Sequence, residues 1–206
     1  MNAPLSGSIL FDSVEAVRAD TIAFDDWHGN EHLNEVRRLL PQAMERRYAS
    51  APRASMTSIF ELGAEPSLPA QVMSAQPAPT ARSIERFIAH PLSTQHGPGA
   101  GNWIEARIAY PVFFAVPQQE VDEFNAWYEE EHLNLLFGCS SWLACRRFWI
   151  AQPHPKGWTH LALHYLADAS ALRSPERDAA RSTPWRDQLA ARPWFKGDYR
   201  VLHRLA

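Results

Sequence analysis

The sequence predicts an α+β fold: two tandem βαββαβ halves whose antiparallel sheets pack into one pseudo-dimeric α/β barrel. Three observations predict it. An eleven-residue stretch, Phe24 to Asn34, returns as Phe124 to Asn134 with its Phe, Trp, Glu, His, Leu and Asn unchanged. The offset is constant at 100 residues and persists from Arg46-Arg47-Tyr48 to Arg146-Arg147-Phe148. A repeat of about half the chain means two related halves, not a solenoid. Finally, a four-stranded sheet with helices on one face leaves its other face bare, and two halves in one chain can cover each other. The halves are residues 1–92 and 105–206, joined by a linker, 93–104, that contains Gly97-Pro98-Gly99.

Each element has its own reason. Residues 8–16 and 108–116 read as the opening strands; in the second, Ile108, Tyr110, Val112 and Phe114 suit a pleated, buried surface. Pro111 inside it predicts an edge position or a bulge. Residues 20–34 and 118–134 read as helices, the second opening after Pro117 with Glu120 in its first turn, near the positive end of the dipole. Residues 46–49 and 146–151 are strands, followed by turns at Ala51-Pro52 and at Pro153, Pro155 and Gly157. Residues 55–62 and 158–165 are the third strands, with weak helices expected over 67–75 and 168–173. The second half adds a helical segment over 182–192. Each half closes with a strand, residues 84–92 and 198–205. This order is the split βαβ of ferredoxin-like folds.

Composition narrows the function. The net charge of −3 argues against nucleic acid, which needs a basic face. No apolar run approaches the roughly 20 residues that span a bilayer, and the start of the chain lacks the pattern of a signal peptide. Cys139 and Cys145 match no metal spacing and are expected to be reduced core thiols. A protein of the cytoplasm without membrane or nucleic-acid partners is expected.

On a regular helix Phe24, Trp27, His28, Glu31, His32 and Glu35 share one sector, as do Phe124, Trp127, Tyr128, Glu131 and His132. Large aromatics beside a Glu and a His suit a helix lining a partly polar cavity. An aromatic-rich first helix ending in Glu-His, followed by Arg-Arg-aromatic on the next strand, resembles the dimeric α/β-barrel proteins and, within them, the EthD-like group. The resemblance covers nearly the whole chain, as two fused copies of what is usually one subunit of a homodimer. It implies a pocket between sheet and helices in each half, and relatives that include cofactor-free monooxygenases, cyclases, isomerases, decarboxylases and haem enzymes. Fold analogy does not choose among them. The copies differ: His28 and Gly29 stand where the second has Tyr128 and Glu129, and the first opening strand carries Asp12 and Ser13.

The candidate catalytic residues are His132, Tyr128 and His32. A neutral imidazole can take a proton from an acidic carbon or a phenol, as cyclisation, isomerisation or oxygenation of an aromatic polyketide requires. Alternation on the third strand of the second half places Trp158, His160 and His164 on one face, where the first half has no histidine; this favours the second pocket. Trp127, Trp158, Trp27, Glu131, Glu31 and Arg147 are the further candidates for binding substrate. The arginine pairs serve either a substrate carboxylate or the helix carboxylates. His28 and His32 have a chelating spacing, but Tyr128 breaks it in the second copy, so neither metal nor other cofactor is expected. The expected function is cofactor-independent acid/base chemistry on a small hydrophobic, aromatic or polyketide-like molecule. The competing reading is a non-catalytic barrel in which the Glu-His motif braces the fold. Both allow further association of whole copies.

Overall fold

The computed structural model describes residues 7–18, 22–63, 68–74, 78–150 and 154–205. The expected helix start at Asp20, the ends of the weak helix at Ser67 and Ala75, the strand end at Ala151 and the turn residue Pro153 lie outside them. In chain order the elements are β1 (Ile9–Ala16), α1 (Ile22–Trp27), a π-helical turn (His28–His32), α2 (Leu33–Leu39), β2 (Met44–Ala49), β3 (Ser55–Glu61), a 3-10 turn (Ala70–Met73) and β4 (Ala81–His96). They continue with β5 (Ile108–Phe114), α3 (Val121–Trp127), a second π-helical turn (Tyr128–His132), α4 (Leu133–Leu136), β6 (Trp142–Ile150) and β7 (His160–Leu166). A 3-10 turn (Ala169–Arg173), α5 (Pro175–Ala180), α6 (Pro184–Ala190), β8 (Asp198–Tyr199) and β9 (Leu202–Arg204) complete the chain. Two compact units result, Met1–His90 with Leu202–Ala206, and Pro91–Val201.

In the first unit the strand order is β4-β1-β3-β2, antiparallel throughout, the ferredoxin-like order. β9 extends it at β2, Tyr48 facing Arg204 and Ala49 facing His203. Leu10, Val14, Met56 and Phe60 point to the face covered by Phe24, Leu33 and Val36 of the helix. Asp12 lies on that same face by alternation, fully buried, while Phe11 stacks on Phe87 on the other face at 5.0 Å. The 3-10 turn at Ala70–Met73 is all that forms of the expected second helix among the described residues.

The second unit has the same order, β8-β5-β7-β6, with the end of β4 beyond β6. Its helix face carries Tyr110, Val112 and Phe114 against Phe124, Trp127 and Leu136. α5 and α6 are the addition in this unit. Each opens with Pro at its first turn behind a capping hydroxyl: Ser174 Oγ accepts from Arg177 N–H and Thr183 Oγ1 from Arg186 N–H.

Three expectations need correction. Residues 93–96 are not linker but strand, because Ser93 and Gln95 donate from β4 to the Glu129 carboxylate and hold the chain extended. The closing strand expected over 198–205 breaks into β8, which pairs with β5, and β9, which pairs with β2. Pro111 is not on an edge strand: β5 lies between β7 and β8. The strand tolerates it because β8 pairs only opposite Val112 and Phe113, while the Pro111 carbonyl accepts from Arg200 N–H at 3.1 Å.

The end of β4 fits β6 with no room to spare. Gly97 N–H donates to Leu143 O at 2.8 Å, and a Cβ at Gly97 would collide with the Trp142 carbonyl oxygen and lie 2.9 Å from the Phe137 ring. Gly97→Ala is therefore expected to destabilise the protein by about 1–3 kcal/mol, the usual cost of overpacking, read as a lower urea midpoint; an unchanged midpoint would show that β4 shifts freely.

Candidate active site

Both copies of the motif fold into the same local device. Leu33 N–H bonds to His28 O and Leu133 N–H to Tyr128 O, each five residues back, so one residue bulges into the helix. The wider turn brings residues five apart face to face. Trp27 meets His32 at 5.1 Å, and Trp127 stacks on His132 at 4.4 Å with 29° between the rings. The sector expected for a regular helix is changed accordingly: Glu31 and Glu35 are exposed.

In the second unit a cleft of about 460 Å³, its mouth included, opens between this helix and the sheet, walled by Tyr110, Trp127, Tyr128, His132, Trp142 and His164. Only about 40 Å³ is room for whole water molecules, enough for a few. His132 Nδ1 lies 3.3 Å from the Ala180 carbonyl, which can only accept, so Nδ1 carries the proton. Nε2 is then the bare lone pair, with no hydrogen bond among the described residues. Burial lowers the His132 pKa to about 3, against the pull of the Ala180 carbonyl and helped by the charges of Arg186, Arg147 and Arg181. His164 is the complement. The Trp142 indole N–H donates to its Nδ1 at 3.0 Å, so the proton of the neutral ring sits on Nε2. Burial, with His132 and Arg147 adding, holds His164 well below its ordinary range. Burial likewise holds the Tyr128 phenol protonated. The His164 Nε2–H faces the Cys145 Sγ at 4.0 Å, so of the two imidazoles only His132 presents a nitrogen unpartnered among the described residues.

The structure distributes the other candidates differently. Arg147 lies under the ring of Tyr128, donating to Glu129 Oε1 at 2.8 Å and Asn125 Oδ1 at 2.6 Å; it braces the helix and does not line the cleft. Glu131 accepts from the Thr183 hydroxyl at 2.6 Å and so holds the start of α6. His160 packs on Phe124 at 5.5 Å beside the Thr159 hydroxyl, its pKa lowered to about 4 by burial and then by Arg147. Trp158 stacks on Phe113, on the far face of β5. Alternation does not reach back to it, because β7 begins only at His160. Arg177, Arg181 and Arg186 at the cleft were not singled out from the sequence, where they are three of many surface-type arginines.

The first unit closes the equivalent space. His32 Nε2–H donates to Asp12 Oδ2 at 2.7 Å, and Arg86 donates to the same oxygen at 2.9 Å and to Val72 O at 2.5 Å. Burial alone would raise the Asp12 pKa, but the His32 hydrogen bond and the Arg86 charge outweigh it and hold the carboxylate ionised. Trp27 is half-buried against His32, and His28, stacked on His32, has its pKa lowered to about 4 by burial. No three His, Cys, Asp or Glu among the described residues converge as a metal site. Cys139 and Cys145 are free thiols.

The chain matches no family model and no curated protein sequence. Solved structures do match over its length. An anthrone oxidase-like protein is 10% identical with a TM-score of 0.61, covering 98% of this chain and 92% of its own. A ferredoxin-fold protein related to antibiotic-biosynthesis monooxygenases, from Listeria monocytogenes, is 9% identical at 0.54, covering 100% and 99%. A monooxygenase-like protein from Listeria innocua is 7% identical at 0.53, covering 97% and 95%. Likeness at these identities shows the fold alone, the ferredoxin-like fold of dimeric α/β-barrel proteins.

Two outcomes are expected. The folded pKa values of His132, His160 and His28 lie below the unfolded value, so the unfolded chain binds the extra protons. Stability is then full above about pH 6.5 and falls as the pH drops towards 4 and 3, by up to about 1.4 kcal/mol per pH unit for each group; urea midpoints equal at pH 7 and pH 5 would contradict it. Asp12→Asn leaves the Arg86 charge buried and unpaired and is expected to cost about 3–5 kcal/mol by denaturant titration.

Proposed function

We propose that the second-unit cleft is the active site of a small-molecule enzyme of the EthD-like type, performing cofactor-independent acid/base chemistry on an aromatic or polyketide-like substrate. The observation that carries this reading is the His132 tautomer. Nδ1–H is committed to Ala180 O, which leaves the Nε2 lone pair of a cleft-lining imidazole without a partner among the described residues. In the proposed step Nε2 takes a proton from an activated C–H, and the bonding pair moves onto the substrate's carbonyl oxygen as an enolate or phenolate. Tyr128 supplies a neutral phenol donor to that oxygen, and His164, held by Trp142 on Nδ1 and Cys145 on Nε2, forms the wall behind it. The new imidazolium can return the proton to another carbon, as isomerisation and cyclisation require. The structurally similar proteins include a monooxygenase-like and an anthrone oxidase-like protein, names compatible with the same first proton transfer.

The aromatic walls match a planar substrate in chemistry, and the cleft, which holds only a few water molecules when empty, must widen to admit one. The fold-bracing alternative suits the first unit better, where His32 is tied to Asp12. The test is deuterium exchange at the acidic carbon of a panel of aromatic C–H acids, anthrone first, followed by NMR. Wild type is expected to accelerate exchange, and His132→Gln to reduce the acceleration by about 10²–10⁴-fold, the usual contribution of a general base. Exchange that is no faster than in buffer across the panel, or that survives in His132→Gln, would sink the catalytic reading.

A further inference from the structure

Arg177, Arg181 and Arg186 line the same cleft as His132 and His164, and no carboxylate among the described residues lines it. All three stand on the α5–α6 segment. Their existing partners leave most of their hydrogen-bonding capacity open. Arg177 donates through one nitrogen to the Leu172 carbonyl, Arg186 lies over the Phe195 ring at 5.9 Å with the exposed Asp187 at 3.6 Å, and Arg181 has no ion pair among the described residues. A fourth donor is the Trp127 indole N–H: the residue is 2% exposed, and its Nε1 has no hydrogen-bond partner among the described residues. A buried donor without a partner costs about 1–3 kcal/mol unless something else accepts from it. The local chemistry is thus cationic and donor-rich at one end and aromatic along the walls.

The segment is also held in place. His132 Nδ1–H bonds to Ala180 O at the end of α5, and the Thr183 hydroxyl, which caps α6, donates to Glu131. The Glu-His pair thereby anchors the junction that carries Arg181 from both sides. Arginines fixed in this way are preorganised to meet an anion, since guanidinium groups match a carboxylate bidentately.

We infer that the ligand of this cleft is an aromatic anion, a planar ring system carrying a carboxylate or an equally charged oxygen, whose charge is received by Arg181 and Arg186 with Arg177 behind them. The inference rests on the proposed active site for its location and names the substrate class of that site. Neutral aromatic analogues would lose the charged contact and bind at least tenfold more weakly. The arginines that receive the anion also help to hold His132 neutral in the empty cleft. An anion between them offsets that repulsion.

The test uses 2-naphthoate and its neutral counterpart 2-naphthamide, titrated by calorimetry against the full chain. The wild type is expected to prefer naphthoate at least tenfold, and the Arg181→Gln/Arg186→Gln double variant to bind both alike. Arg181 is exposed and Arg186 half-buried, and circular dichroism with an unchanged urea midpoint checks that the variant folds. Equal affinities in the wild type, no binding of either probe, or a preference that survives the double substitution would each overturn the inference. Naphthoate is not a C–H acid, so the two readings fail separately. A naphthoate preference without catalysed exchange keeps the anion site and removes the enzyme, whereas His132-dependent exchange without the preference does the reverse.

Discussion

An imidazole turned inward carries an N–H that must be satisfied, and the rest of each unit is arranged around how that N–H is satisfied. The π turn sets the problem by driving the histidine five residues back under a tryptophan, away from water. In the first unit the partner is a carboxylate. Asp12 accepts from His32, requires Arg86 to stabilise it, and the three side chains fill the space between helix and sheet. In the second unit Val112 occupies the register position of Asp12, and the histidine turns to a backbone carbonyl of α5. A carbonyl needs no counter-ion, so the helix–sheet interspace stays open. One residue on the opening strand, Asp or Val, goes with a brace in one unit and a cleft in the other.

Much of this was legible in the sequence, and the reasons are specific. The constant 100-residue offset located both motifs, and the strand and helix order followed from periodicity and turn residues. The divergence that matters was visible as Asp12 and Ser13 against Val112 and Phe113. What stayed hidden depended on local hydrogen bonding that no pattern encodes. A π turn has the same composition as an α-helix, so regular-helix geometry places Glu31 on an inward face it does not occupy. Alternation on the third strand does not hold at Trp158, because the strand begins two residues later. Arg177, Arg181 and Arg186 looked like solvated helix residues, and their position depends on the Thr183–Glu131 and His132–Ala180 contacts that swing the α5–α6 segment over the cleft.

The second-unit motif therefore performs two jobs that a sequence reading would give to different residues. Glu131 and His132 orient the added helices, and His132 also presents its free nitrogen to the cleft. Arg147, the residue a carboxylate hypothesis first selects, is occupied by Glu129 and Asn125 and stiffens the helix from below. Its charge still reaches His132, His160 and His164 and helps keep all three neutral.

The division of β4 and the placement of β9 have a consequence for how the chain is made. The first unit owns Leu202–Arg204, which are synthesised more than a hundred residues after β2, the strand they pair with. Until those residues leave the ribosome, the open edge of β2 presents unpaired backbone groups to any passing strand. The nascent first unit must wait through the synthesis of the second with that edge uncovered and open to mispairing.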